Sequence, residues 1–469
     1  MNKPDYKLAK KRNLKITFNT YSDSTAPIGN NKTFYIKTYG CQSNVRDSED
    51  IKGILLSLGF NENPNILDAD LVILNTCAIR ENAEKKVFGE IGYLKAIKIK
   101  NENFKFGICG CMAQEENVVK KIINNIEHVD FVFGTHNIAS LANILAEVYK
   151  TNKQIIDIKP YSEEITEQLP TKHTSNIKAF VNITYGCNKF CTYCIVPYTR
   201  GQLRSRKKED IINEINNLIK QGYKEVTLLG QNVNDYGIDL YDDYGFVELL
   251  EEIAKTNINR IRFATSNPWN FSTKIIDIAK KYQNIMPYFH LPIQSGDETI
   301  LKKMNREMEI KKYLDLVNYI KHNINDYAIS TDIIVGFPNE TEKEFENTIK
   351  LYDEVKFDNA YTFIYSPREN TPAANFVDNE TLTAKQWRLN KLNDLVRKYA
   401  KENCMKYVDK TVEVLVEGYS KTDKNILFGY SRNWKVVNFS GTAKPGDIVH
   451  VKITSASRFS LNGVEEKIQ

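Results

Sequence analysis

Three cysteines stand together in GCNKFCTYC, residues 186–194, at Cys187, Cys191 and Cys194. Clustered soft thiolates select zinc or iron–sulfur. A structural zinc site wants four ligands at tetrahedral corners, and no further Cys or His lies nearby in sequence. Ordinary ferredoxin-type clusters also take four cysteines, so a trio leaves one iron open to a substrate or cofactor. The residues between the thiols are polar and aromatic and do not make the apolar face that three buried structural cysteines would need.

A second trio is spread along the chain. Cys41 follows the strand-like run TFYIKTYG, Cys77 follows LVILNT, and Cys111 ends FKFGICGC. The carboxyl ends of parallel strands share one edge, so these three can meet there and hold a second cluster, again with an open iron. Cys109 lies inside its strand and Cys404 near the end of a Lys-rich helical stretch, and both read as packed thiols. The words LLGQNVNDYG, HLPIQSGDE and TDIIVGFPNET put polar residues at or just past strand ends. Gln231, Asn232, Gln294, Ser295 and Asp332 are therefore candidates for cofactor or base contacts, or else helix caps and turn residues. Arg432, Asn433, Trp434 and Lys435 form a basic, aromatic cluster of the kind that grips phosphates and stacks bases, or a solvated turn around a buried Trp.

These residues need scaffolds to position them. From Thr33 to Lys150, short apolar runs alternate with amphipathic stretches, which implies a βαβα order and a parallel sheet. Residues 151–175 are polar and lose the periodicity, as a linker would. Over 176–405 the alternation resumes with six candidate strands (KAFVNITY, EVTLLG, RIRFAT, PYFHLP, AISTDIIVG and NAYTFIY), too few for a full eight-stranded barrel and suited to a partial (β/α)6 one. Residues 406–469 change to short strands with Gly, Asp and Asn turns, the pattern of a small antiparallel barrel. The fold class is α/β with this β-barrel appended. Of the 469 residues, 64 are basic and 59 acidic, and the six cations and one acid of residues 1–15 account for the whole net charge of +5. Residues 1–32 read as a basic flexible arm. No run approaches the roughly 20 apolar residues of a membrane span, so a soluble cytoplasmic protein with reduced thiols is expected.

The C-x3-C-x2-C spacing after a first barrel strand resembles the radical S-adenosylmethionine (SAM) superfamily. The words YGCQSN, NTCAIRENAEKKVFG, GCMAQ, NITYGCNKFCTYCIVPYTRG, HLPIQSGDETILKKMNR and TDIIVGFPNETEKEF resemble, in order, the motifs of its methylthiotransferases. NTCAIRENAE is similar to the subgroup acting on dimethylallyladenosine in tRNA, rather than those acting on threonylcarbamoyladenosine or on a ribosomal protein. The resemblance implies two 4Fe-4S clusters, one per trio, with SAM chelated on the central open iron and cleaved there to a 5′-deoxyadenosyl radical. It places Tyr193 near the adenine of SAM, and it makes the tail a TRAM domain, a small RNA-binding barrel. It implies tRNA, through its anticodon stem-loop, as partner, an electron donor such as a flavodoxin or ferredoxin, a sulfur donor, and a monomer. The sequence departs from the family pattern at Ser43, where Met is usual, at Gln202 and Leu203, where Arg-Glu is usual, at Asn267, where His is usual, and at Asn370, where Gly is usual.

Overall fold

The computed structural model describes residues 15–23, 25–78, 81–125 and 128–466. A short strand, β1 (Thr17–Thr20), precedes a sheet built from β2 (Thr33–Thr38), β3 (Asn61–Glu62), β4 (Leu71–Thr76), β5 (Lys105–Gly110), β6 (Phe131–Phe133) and β7 (Ile155–Asp157). Their order is β3-β2-β4-β5-β6-β7, and every pairing is parallel. Strands β4 and β5 are buried along their whole length, because the sheet is covered on both faces. Phe34, Ile54, Phe131 and Leu145 fill one side, and Val72, Leu94, Phe106 and Ile122 the other.

The segment expected to be a linker carries structure. Strand β7 extends the sheet, and β8 (Glu164–Glu167) pairs in parallel with β1. The expected arm, residues 1–32, thus contains a strand, while its basic residues before Lys15 lie outside the described residues. Strands of three and four residues are too short to leave a period-two pattern, and β1 and β8 stabilise each other only from distant parts of the chain. His173 and Thr171 then pin the segment to Glu49 and Asp50 of the helix Gln42–Ser57, at 2.9 and 2.7 Å.

The six strands expected in the centre are all present. They are β9 (Lys178–Asn182), continued by the short β10 (Thr184–Tyr185), which pairs with β11 (Arg204–Ser205), then β12 (Glu225–Leu229), β13 (Arg260–Phe263), β14 (Tyr288–His290), β15 (Ala328–Val335) and β16 (Asn359–Ile364). The parallel trios β13-β12-β9 and β14-β15-β16 are joined by a bridge between Ile261 and Ile285, giving an open barrel with β9 and β16 as its free edges. Local sequence supports the register. After β15, Thr341 and Glu344 form a reciprocal capping box that starts the helix Glu342–Val355, with Glu344 accepting from the Thr341 amide at 2.6 Å.

The tail closes into a five-stranded barrel of β17 (Thr411–Tyr419), β18 (Leu427–Ser431), β19 (Val436–Ser440), β20 (Ile448–Ala456) and β21 (Ser460–Glu466). Closure removes sheet edges, and Val414, Val416, Val437, Phe439, Val451 and Leu461 fill its interior.

Candidate active site

In the N-terminal sheet, Cys41, Cys77 and Cys111 each stand just past the carboxyl end of a strand, β2, β4 and β5. The close approach is visible at Gly40, whose φ is +126° and where a Cβ would stand 3.0 Å from Cys77 Cβ. Asn44 and Asn75 organise this edge. The Asn44 side-chain NH2 donates to Asn75 Oδ1 and to the Thr76 carbonyl, while its oxygen accepts from the Cys41 amide and thiol at 3.3 and 3.4 Å. Burial pushes the Cys111 thiol up to about 11, against the pull of Arg200. Arg200 is itself buried and ion-paired to Asp47 at 2.6 Å.

Cys187, Cys191 and Cys194 occupy the loop after β9 and β10. Gly186 has φ +68°, and a Cβ there would collide with the Gln202 carbonyl at 2.1 Å, so the loop needs glycine at its entrance. The loop is held from outside by the LKKMNR segment. Thr192 donates to the Met304 and Lys303 carbonyls, and the Asn305 side chain donates to the carbonyl of Phe190, itself in the left-handed region at φ 47°. Arg306 is buried, donates to Cys191 Sγ at 3.7 Å and to the Tyr193 hydroxyl at 3.4 Å, and lies over the Trp269 ring at 4.6 Å. Burial raises the Cys187 and Cys194 thiols, the latter to about 12. Each trio thus sits beside one buried arginine, the cation that a group of buried thiolates needs.

Among the described residues, no three His, Cys, Asp or Glu side chains gather around one metal-ion position. A four-iron cube asks for something else, since each cysteine then binds a separate iron and the thiols stand apart. No disulfide joins the described cysteines, and Cys109 and Cys404 are packed in apolar surroundings.

The two trios adjoin. Cys111 and Ala78 pack against Ile195 and Tyr198, the residues that follow Cys194 and open the helix Val196–Thr199. A cavity of about 990 Å³ opens from Tyr193 and Cys194, with Gln294 and Asp332 in its wall and strand β16 along one side. Gln294 is held at φ 72° and its Oε1 is buried without a partner; Asn232 keeps an unpartnered buried Nδ2 after its oxygen accepts from the Asn267 amide. Buried polar atoms are rarely left unpaired, so these atoms fit contacts to a bound polar molecule. Two other candidates are engaged elsewhere. Gln231 donates to Ser43 of the N-terminal domain at 3.0 Å, and Ser295 is fully buried between Thr348 and the Asp297 amide.

Some functional residues escaped the sequence reading. Asn44, Asn75, Asp47 and Arg200 stand within or beside the cysteine words and Arg306 ends HLPIQSGDETILKKMNR, and sequence alone does not show the contacts they make with distant segments. The departures also find places. Leu203 is buried and its amide donates to Asn188, Ser43 meets Gln231, and Asn370 takes φ 69°, a conformation asparagine tolerates better than most residues where glycine is usual.

The cluster Arg432–Lys435 requires a correction. Its polar groups are taken up by the central domain. Lys435 pairs with Asp358 at 2.6 Å, the Asn433 side chain donates to the Asp326 carbonyl, and Arg432 donates to the Gln283 carbonyl. Trp434 stacks on Tyr430 at 4.8 Å, with the guanidinium of Arg262 4.3 Å from its ring. A basic, aromatic turn is equally what a buried seam between two domains needs, and sequence alone does not separate the two uses.

Residues 33–134 match the uncharacterized protein family UPF0004, residues 181–352 the radical SAM superfamily and residues 405–464 the TRAM domain. Among solved structures, the radical SAM methyltransferase TsrM from Kitasatospora setae, with cobalamin and a 4Fe-4S cluster bound, shares the fold with a TM-score of 0.54 at 12% identity, over 73% of this chain and 76% of that one. The tRNA-2-methylthio-N(6)-dimethylallyladenosine synthase of Malacoplasma penetrans is 56% identical over 93% of this chain and 89% of its own. The enzymes of the same name from Geobacillus kaustophilus and Staphylococcus haemolyticus are 50% and 49% identical over 99% and 98% of this chain, and 89% and 91% of theirs. At such identity over nearly the whole length, the chain belongs to the tRNA-2-methylthio-N(6)-dimethylallyladenosine synthase family.

Proposed function

We propose that the chain replaces the hydrogen on carbon 2 of N6-dimethylallyladenosine in tRNA, at position 37 beside the anticodon, with a methylthio group. The observation that carries this reading is the abutment of the two cysteine trios in a chain of this family, where Ala78 and Cys111 share one packed cluster with Ile195 and Tyr198. Radical SAM enzymes use SAM with a 4Fe-4S cluster, and here Cys187, Cys191 and Cys194 would hold that cluster while Cys41, Cys77 and Cys111 would hold a second. When bound, the central cluster would supply the electron that cleaves SAM to a radical able to remove the hydrogen, the N-terminal cluster would supply the sulfur, and a second SAM would supply the methyl group.

The chain's own residues do the positioning. Arg306 and Arg200 place a positive charge beside each set of thiolates. Tyr193, Gln294, Asn232 and Asp332 line or adjoin the place where SAM and the base must meet, and Gln231 ties the two domains together beside it. The N-terminal domain lies across the β9 edge of the open barrel, where Arg46 donates to the Phe180 carbonyl at 3.0 Å. That cover keeps water from a reactive intermediate.

The tRNA is met by the TRAM barrel at the other end of β18 and β19 from the Arg432–Lys435 turn. The loops β17–β18 and β19–β20 lie together there, since Leu427 pairs with Phe439 and Leu415 with Ile448. Lys421, Lys424 and Lys444 stand exposed on those loops. Among the described residues, no helix is long and apolar enough to cross a membrane. A small electron-transfer protein such as a flavodoxin or ferredoxin would reduce the cluster, and a separate donor would replace the sulfur consumed; the working unit is the monomer. The test is nucleoside mass spectrometry of tRNA from cells lacking the gene. The 2-methylthio group should vanish while the dimethylallyl group stays, and the gene should restore it; retention of the methylthio nucleoside would sink the proposal.

A further inference from the structure

The last barrel strand presents two large rings to the cavity. Along β16, Ala360 and Ile364 belong to the packed core, whereas Tyr361 and Phe363 on the other face remain 45% and 38% exposed. Tyr361 meets the edge of the His290 ring at 6.0 Å, and aromatic rings bury a large apolar area when covered, so two left this exposed on alternate positions of an edge strand offer apolar surface to a bound group. Both rings line the 990 Å³ cavity that begins at Tyr193 and Cys194, and Leu382, the first residue of the helix Leu382–Met405, also lines it. The charged side chains in the lining are Asp332 and Arg368.

We infer that Tyr361, Phe363 and Leu382 form the surface that recognises the N6-dimethylallyl group of the substrate base, an inference that rests on the function proposed above. The group is branched, five carbons long and has no hydrogen-bonding atom, so it can be recognised only by apolar contact. An adenosine without the group offers this wall no such apolar contact. Continuity with Cys194 puts the wall within one nucleoside's reach of the central trio.

The test uses full-length, anaerobically reconstituted enzyme and two anticodon stem-loop RNAs of one sequence, with adenosine or N6-dimethylallyladenosine beside the anticodon. Wild type should prefer the prenylated RNA in kcat/KM. Phe363→Ala should lower that rate about 10- to 100-fold while changing the rate on the plain RNA far less, and Phe363→Leu should recover most of the loss. Phe363 is part-exposed, so folding should survive, and RNA-independent reductive cleavage of SAM checks that the central site is loaded. Equal losses on both RNAs, or an unchanged preference in Phe363→Ala, would overturn the wall while leaving the proposed function standing. A wild type that cleaves SAM but modifies neither RNA would overturn the function, and the wall with it.

Discussion

Replacing Arg262 by Met should undock the C-terminal barrel without unfolding it. The Arg262 side chain makes three bonds of 2.9 Å, to Glu225 and to the carbonyls of Ser431 and Arg432, while its guanidinium faces Trp434. Arg262 and Glu225 are 3% and 2% exposed at the side chain, so the variant leaves a carboxylate buried with its cation gone. Breaking such a pair from one side costs about 3–5 kcal/mol. At 1.4 kcal/mol per factor of ten, the docked state should lose roughly two to three and a half orders of magnitude in population relative to the undocked one. Hydrogen exchange reads this through the Ser431 and Trp434 amides, whose bonds are local to a turn that the docked central domain clamps through the Ser431 and Arg432 carbonyls, so that undocking frees the turn to open locally. Their exchange should accelerate by a similar factor while amides of β4 and β5 keep their protection. Adding Glu225→Leu should restore more than half of the lost protection, since a pair replaced from both sides leaves no stranded charge. Unchanged exchange at residues 431–435 in Arg262→Met, or no recovery in the double variant, would refute the reasoning.

Anaerobic reconstitution should give about eight iron per chain, and replacing Cys41, Cys77 and Cys111, or Cys187, Cys191 and Cys194, by Ala should leave about four, measured with acid-labile sulfide. Glu340 is buried and its carboxyl is raised from 4.5 to about 7, so between those values the folded protein holds a proton that the unfolded chain releases. Its contribution makes stability fall as pH rises through that window, and Glu340→Gln should flatten the difference in denaturant midpoints between pH 4.5 and 7, an outcome missed if both proteins show the same slope. Charge removal at Lys421, Lys424 and Lys444 should weaken binding of the anticodon stem-loop and lower the salt slope by up to about three, whereas Lys435→Gln should loosen the seam without changing that slope.

The fold was legible where its signals are local. The six central strands, the parallel N-terminal sheet and the small closed barrel all follow from periodicity and turn residues, and each cysteine of the second trio could be placed because strand ends share an edge. What could not be read was which surface each polar residue meets. Lys435 has the same sequence context whether it faces a phosphate or Asp358, and Gln231 whether it faces SAM or Ser43; only the packing of distant segments decides. The pairing of β1 with β8 was hidden for the same reason.

The boundary between the N-terminal and central domains is held by charge more than by apolar area. Across it, Arg46 reaches Glu214 at 3.2 Å, Arg206 reaches Glu167 of β8 at 2.5 Å and Arg200 reaches Asp47 at 2.6 Å, while Asp50 and Glu214 complete the network from within each domain. All three arginines are buried. Buried pairs of this kind add little net stability, because desolvation consumes most of the attraction, but a mispaired arrangement is very costly. Such an interface tolerates few alternative orientations of the two domains. The sulfur transfer proposed above would have the same requirement. The Arg200–Asp47 pair spans the boundary beside Cys111, and the packed cluster that Cys111 shares with Ile195 lies in the same place, so an error in docking would displace the two trios before it exposed much apolar surface. The charged boundary therefore sets the distance between the trios, and the apolar cores on either side supply the stability that the boundary lacks.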